Sequence, residues 1–339
     1  MAHTPLTRIE LKNFTAFEAL DLSLSPRFNV FVGTNGTGKT HLLKALYAAG
    51  AATQKSVDFM DKLTGVFKPY EDRLGRLVRR SGQDDAAWIR IDRGSTAIGC
   101  EFTRVVQLSR KDARVNLGWR DERLTCIYIP VKEVLAQVPG FRSLYKEFEL
   151  RFDETHLDLI DWALKPKRRE VPDPVQRALL QKLEQYLGAG VSVQGEEFFV
   201  GDDLSGLEFT LLGEGLRKLG LLWQLIQNGT LNEGAVLFWD EPEANLNPRV
   251  IGDVVDILLQ LSRHGVQVFV ATHDYVFLKE LDLRKEASDP VAFHALFRPD
   301  PAHGVQVRST DALSTLEPNV IRETYLGLLD REAERDFKD

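Results

Sequence analysis

Read as apolar and polar positions, the chain changes period several times. Apolar residues alternate from Leu6 to Leu11, and Leu20, Leu22 and Leu24 share one face of a second period-2 run. Phe28 to Val32 is a short apolar strand, Gly33 to Gly38 is glycine-rich, and Lys39 to Ala49 has helical composition. Residues 51–125 predict a helical stretch to about Arg80, then alternating segments over Trp88–Ile91 and Ile98–Val106, so a helix plus a small antiparallel sheet. Leu124 to Pro130 reads as a buried strand. From Val138 to Gly190 the pattern is helical but interrupted by Pro139, Pro166, Pro172 and Pro174, each of which ends or kinks a helix. No apolar seven-residue repeat is sustained, which excludes a long coiled coil.

The last third is more regular. Helices over Gly215–Gln227, Arg249–Arg263 and Tyr275–Leu283 alternate with strands over Ala235–Asp240 and Val266–Thr272. Val291–Phe297 and Gly304–Arg308 are expected to close the sheet, with a final helix over Glu317–Phe337. This alternation indicates an α/β fold whose mostly parallel sheet is covered on both faces.

Composition narrows the class. With 339 residues, 43% of them hydrophobic, the chain is expected to bury a large core and to fold as a globular protein. Its two cysteines, Cys100 and Cys126, cannot make a disulfide scaffold, so a reducing cytoplasm is the expected compartment. No leader-like or membrane-spanning run is apparent. The formal charge of −7 argues against bulk electrostatic binding of nucleic acid but leaves room for local basic patches.

Two sequence features carry chemistry. Gly33-Thr34-Asn35-Gly36-Thr37-Gly38-Lys39-Thr40 fits the phosphate-loop pattern G-x-x-x-x-G-K-[ST], between a strand and a helix as that pattern requires. Glycines let successive backbone N–H groups point at phosphate oxygens, and the helix start adds free donors. Lys39 supplies a point charge for the β and γ phosphates, and the Thr40 hydroxyl can ligate Mg²⁺. Further on, the strand Ala235–Asp240 ends in adjacent carboxylates, at the edge where such sheets bind ligands. Asp240 suits the surroundings of Mg²⁺, and Glu241 suits a general base polarising the water that attacks the γ-phosphate. His273, 32 residues after Glu241 at the end of the next strand, would meet the γ-phosphate, with Thr272 and Asp274 as orienting partners.

Taken together, these residues resemble the ABC-type ATPase heads, in the branch that includes SMC, RecF and the OLD-type ATPases. The start Ile9-x-Leu11-Lys12-Asn13-Phe14-x-x-Phe17 is similar to that branch. So are the phosphate loop as Walker A, Asp240-Glu241-Pro242-Glu243 as Walker B, Asn245-Leu246-Asn247-Pro248 as the D-loop, and His273 as the switch histidine. Tyr128-Ile129-Pro130-Val131-Lys132-Glu133-Val134-Leu135 looks like the short, coiled-coil-free ATPases of bacterial defence and repair operons. The resemblance implies a P-loop NTPase with an N-terminal antiparallel β subdomain, a mostly parallel core sheet and a helical insert lobe. On that reading residues 1–339 form one ATPase domain, with inserts at 51–125 and 139–200.

One departure stands out. In such heads a signature loop, with a serine and a glycine, contacts the ATP of the opposite protomer. Here Gly213-Glu214-Gly215-Leu216-Arg217-Lys218 occupies that place, Asp240 lying 25 residues beyond Gly215. The helix start can still bind an anion, but Gly213 stands where the serine belongs, leaving Arg217 or Lys218 to compensate.

The resemblance implies ATP and Mg²⁺ as ligands, ATP hydrolysis, and a homodimer or higher oligomer closing around two ATP·Mg²⁺. The chain looks too short to hold an effector domain as well, so the expected output is a separate nuclease or toxin, with anti-phage defence as the expected setting. Two basic runs could meet DNA non-specifically: Arg73, Arg76 and Arg80 as one helical stripe with Arg79 beside it, and Lys165, Lys167, Arg168 and Arg169 after a helix. The rival readings are a stand-alone RecF-like repair ATPase, a transporter's nucleotide-binding subunit, which the Gly213 departure disfavours, and a non-hydrolysing scaffold.

Overall fold

The computed structural model describes the chain apart from residues 1–2, 81–84, 105–112, 116–117, 149, 203–204, 301–302 and 337–339. Val106, in the strand expected over 98–106, and Phe337, at the end of the expected last helix, lie outside the described residues. Strands β1 (Leu6–Phe14), β2 (Phe17–Ser23) and β3 (Phe28–Val32) come first, then helices α1 (Lys39–Ala51) and α2 (Phe59–Phe67). Two short 3₁₀ turns lead to β4 (Ala86–Arg93), β5 (Thr96–Thr103), β6 (Ala113–Val115) and β7 (Thr125–Ile129). Next come α3 (Phe141–Glu147), α4 (Glu154–Ala163), α5 (Pro174–Leu187), and the short strands β8 (Val191–Gln194), β9 (Glu197–Val200) and β10 (Leu207–Glu208). The last third runs α6 (Glu214–Gln227), β11 (Ala235–Asp240), α7 (Pro248–Arg263), β12 (Gln267–Thr272) and α8 (Tyr275–Arg284). It closes with β13 (Val291–Phe297), β14 (Gln306–Thr310) and α9 (Val320–Asp336).

The site hangs on a six-stranded sheet of order β14-β13-β3-β12-β11-β7, parallel except for β14. Every residue of β3, β11 and β12 is buried, as strands covered on both faces must be. Their side chains still alternate. Val30, Leu237, Trp239, Val268 and Val270 enter the core shared with α4, α5, α6 and α7, whereas Phe31, Phe238 and Phe269 enter the core shared with α1, α2 and the N-terminal sheet. Phe238 and Phe269 stack with centroids 5.0 Å apart, an arrangement worth about 1 kcal/mol beyond its buried area.

The five-stranded antiparallel sheet has the order β2-β1-β4-β5-β6, so β4 and β5 extend the sheet that β1 and β2 begin. The helix expected to continue to Arg80 stops at Phe67: Lys68 takes a left-handed φ of 43°, Pro69 follows, and Glu71 and Asp72 also have positive φ. Pro174 does not break a helix but opens one, behind an Asp173 cap that forms a reciprocal box with Gln176. The β8–β9 hairpin, turning at Gly195 with φ 61°, follows the stretch read as helical. No helix among the described residues is long and apolar enough to cross a membrane.

Candidate nucleotide site

The loop between β3 and α1 curls because Gly36 and Gly38 adopt φ of 80° and 85°, which only glycine takes freely. Gly38 also lies tight against Phe17, since a Cβ there would come within 2.8 Å of the ring. Thr37 closes the loop through its hydroxyl, which donates to Thr34 O at 2.8 Å. The Lys39 ammonium, 6% exposed, donates to Gly33 O at 2.7 Å and Thr34 O at 3.1 Å. Burial lowers its pKa, with Glu241, Asp240 and Glu243 acting in the opposite sense. The ammonium thus lies folded over the strand-to-helix loop where phosphate oxygens would bind.

Register brings the second half of the site to that loop. β11 and β3 flank β12, so Asp240, at the end of β11, emerges beside the start of α1. The Thr40 hydroxyl donates to Asp240 Oδ2 at 2.7 Å, closing 200 residues of sequence. Tyr128, at the end of edge strand β7, donates to the same oxygen at 3.3 Å. Asp240 is 4% exposed, and burial pushes its pKa up against these two donors. Threonine hydroxyl and carboxylate form an all-oxygen pair suited to Mg²⁺. Among the described residues no group of three or more His, Cys, Asp or Glu could hold an ion alone, so a cation here would share its coordination with nucleotide oxygens.

Glu241 adopts φ 49°, a left-handed backbone that a non-glycine residue takes only where its surroundings enforce it. Its amide donates to Ala271 O at 2.8 Å, and its Oε1 lies 2.9 Å from His273 Nδ1. Glu241 and His273 are therefore paired at the mouth of the site. Thr272 and Asp274 do other work. The Thr272 hydroxyl donates to Glu243 Oε1 at 2.7 Å, and Asp274 caps α8 by accepting from Phe277 N at 2.6 Å. Glu243 is buried, which raises its carboxyl pKa to about 7.

The signature position is built differently. Gly213, with extended φ and ψ, precedes α6, and a Cβ there would meet nothing within 4 Å. Neither candidate substitute for the missing serine faces outward. The Arg217 guanidinium turns back, donating to Leu212 O at 3.1 Å and Phe209 O at 3.3 Å and pairing with buried Glu133 at 2.6 Å. Lys218, 1% exposed, donates to Ala244 O at 2.7 Å. Both side chains are committed to the protomer's own frame.

The basic runs are also rearranged. Tyr70–Asp72 and Leu74–Leu77 are separate 3₁₀ turns meeting at extended Arg73, so Arg73, Arg76 and Arg80 do not form a helical stripe. Arg79 is buried, its guanidinium 2.9 Å from Glu18. With Arg298, residues Arg76, Arg79 and Arg80 instead border a cavity of about 490 Å³ beside His41 on the first turn of α1. Lys165 lies 3.7 Å over the Trp162 ring, Lys167 faces Trp223, and Arg168 pairs with Glu170 at 3.0 Å. Sequence reasoning assigned no part in the site to Tyr128 or Glu243. Tyr128 carries no local signal, because its partner is set by strand pairing; Glu243 stood inside the Walker B run without a role.

Comparison with known proteins bears on the family and the fold. The family model described as "AAA ATPase domain" matches residues 5–187, and a second AAA domain model, described with reference to the AbiEii toxin and Type IV TA systems, matches residues 137–279. The RecF DNA replication and repair protein of Pectobacterium atrosepticum is 34% identical over 119 residues, 34% of this chain and 27% of that protein. RecF of Bacillus mycoides is 36% identical over 141 residues, 42% of this chain and 33% of that protein. These alignments span a third or less of the relatives' length. Among solved structures, the SMC head bound to the C-terminal winged-helix domain of ScpA superposes with a TM-score of 0.58 at 13% identity, over 91% of this chain and 98% of that one.

Proposed function

We propose that this chain, which belongs to the AAA ATPase domain family and is built as an SMC/RecF-like ABC ATPase head, works as a dimerisation switch closed by two ATP·Mg²⁺. The observation that carries the reading is the 2.7 Å contact between Thr40 and Asp240, which joins loop and strand end into one site.

Lys39 and the loop amides hold the β and γ phosphates, in the space its ammonium now covers with carbonyl contacts. Thr40 and Asp240 would hold Mg²⁺, which when bound would offset the negative charge of the phosphates. Glu241 takes the proton of the attacking water, and His273, 2.9 Å from it, holds that carboxylate and meets the γ-phosphate. The cavity beside α1, bordered by His41, Phe67 and Arg76, is where this reading puts base and ribose. The amides at the start of α6, over Gly213, Glu214 and Gly215, close the partner's site. Since ATP can bridge two protomers and its products bridge them less well, hydrolysis resets the pair.

The RecF likeness favours an output on DNA in repair, whereas the family model described with a Type IV TA system favours a toxin–antitoxin context, which we read as a separate effector protein in anti-phage defence. The test is ATP turnover of the purified chain with and without DNA, alongside Glu241→Gln. Trapping of an ATP-dependent dimer by Glu241→Gln supports the switch. Turnover at the wild-type rate in that variant overturns the base assignment. DNA-stimulated turnover favours repair; indifference to DNA, with a partner recovered from the neighbouring genes, favours the effector reading.

A further inference from the structure

The turn between β11 and α7 is anchored at two buried points that the catalytic reading leaves unused. Glu243, 9% exposed, accepts through Oε1 the 2.7 Å hydrogen bond from the Thr272 hydroxyl. Thr272 is fully buried, and its hydroxyl oxygen in turn accepts from the Asp274 amide at 3.0 Å. One oxygen therefore ties Glu243 to the backbone on the far side of His273. The next residue faces the opposite way: Ala244 O accepts the Lys218 ammonium of α6 at 2.7 Å. Gly215, at the start of the same helix, packs so closely on this turn that a Cβ would lie 2.8 Å from Asn245 O.

Burying a carboxylate and an ammonium is unfavourable unless their bonds fix something that apolar side chains would leave loose. What these bonds fix is the distance between α6, which carries Gly213 to Gly215, and the end of β12, which carries His273.

We infer that Glu243 is a positioning residue for ATP hydrolysis: through Thr272 it sets the turn that presents His273 to Glu241, and with the Lys218–Ala244 bond it makes residues 241–247 a strut between α6 and β12. The inference rests on the roles proposed for Glu241 and His273. Movement of α6 against a partner's ATP would reach His273 through this strut, a contiguous set of buried contacts rather than a field acting at a distance.

The experiment compares steady-state ATPase kinetics of the full chain carrying Glu243→Ala, Glu243→Gln, Thr272→Val or Thr272→Ser, with melting curves to confirm folding. Alanine and valine remove an end of the bond, while glutamine and serine keep an acceptor and a donor. Glu243→Ala and Thr272→Val are expected to lower kcat by about 10- to 100-fold, with KM for ATP changed less than about twofold. Glu243→Gln and Thr272→Ser are expected to recover most of that loss. The double variant Glu243→Ala/Thr272→Val should be no worse than either single one, because both break one unit. Wild-type turnover in Thr272→Val overturns the inference. So does equal damage from Glu243→Gln and Glu243→Ala, or a raised KM at unchanged kcat. If Glu243→Ala fails to fold, the Thr272→Val and Thr272→Ser pair decides alone. A fully active Glu241→Gln would instead sink the underlying base assignment, so the two failures can be told apart.

Discussion

The phosphate loop and the start of α6, the two surfaces proposed to enclose ATP in a dimer, are made of opposite materials. On the phosphate side, Lys39, Thr40 and Asp240 are charged or polar side chains drawn together by parallel strand register, Lys39 and Asp240 buried and Thr40 half-buried. On the Gly213 side, Arg217 and Lys218 turn back into their own chain, and what faces outward is the backbone at the start of α6. The phosphate side depends on which groups are present. The Gly213 side depends on where a helix is held. Substitutions should therefore abolish function on the first and detune it on the second.

The largest effect is expected from Lys39→Ala. It removes the ammonium folded over the loop, and ATP affinity measured by calorimetry should fall at least about 30-fold. Glu241→Gln comes next: kcat should drop by about 10²–10⁴-fold with ATP still bound, and size-exclusion chromatography with ATP should reveal a trapped dimer. If instead both variants only weaken turnover slightly, the contrast between the two sides is wrong.

Arg217→Ala tests the bracing of the other side. It leaves Glu133 buried without its partner, and urea unfolding should register a loss of about 3 kcal/mol. Turnover should fall while ATP affinity of the monomer stays unchanged.

A titration sharpens the same contrast. Burial raises the Glu243 carboxyl from 4.5 to about 7, so the folded chain holds that proton where the unfolded chain has released it. The stabilisation is present below pH 4.5 and is lost as pH rises through about 7. Wild type should therefore lose up to about 3 kcal/mol across that window through this group, and Glu243→Gln, which has no charge to bury, should not. The smallest change is expected from Gly213→Ser. The position has open space and an extended backbone, so folding should be unaffected, and the restored hydroxyl should raise turnover of the ATP-bound dimer severalfold.

How much of this was legible depended on sequence range. Gly36, Gly38, Lys39 and Thr40 act within one turn of chain, so their spacing alone located the loop. β3, β11 and β13 were read with their true ends because short, mostly apolar runs between charged or turn residues leave little choice. The segment after Phe67 was misread: helical composition continued, but Lys68 and Pro69 stopped the helix and the arginine stripe with it. Arg217 and Lys218 were located but not aimed. The inward face of α6 is set by Glu133 and Ala244, which lie 84 and 26 residues away in sequence. Tyr128 was invisible as a site residue because only the pairing of β7 with β11 brings it to Asp240.

The strand that carries the phosphate loop has its own history during synthesis. β3 pairs with β12 on one side and β13 on the other. A ribosome delivers about 5–20 residues each second, so β3 waits on the order of 10–50 s with both edges bare before β12 is made. Through that interval the five residues from Phe28 to Val32, four of them apolar, offer an unpaired template to any neighbouring nascent chain. The loop sequence is complete early, yet Asp240 has not left the ribosome and no partner exists for Thr40. Half-made copies thus lack the Thr40–Asp240 contact, and their need for chaperone protection should end abruptly once the C-terminal third has emerged.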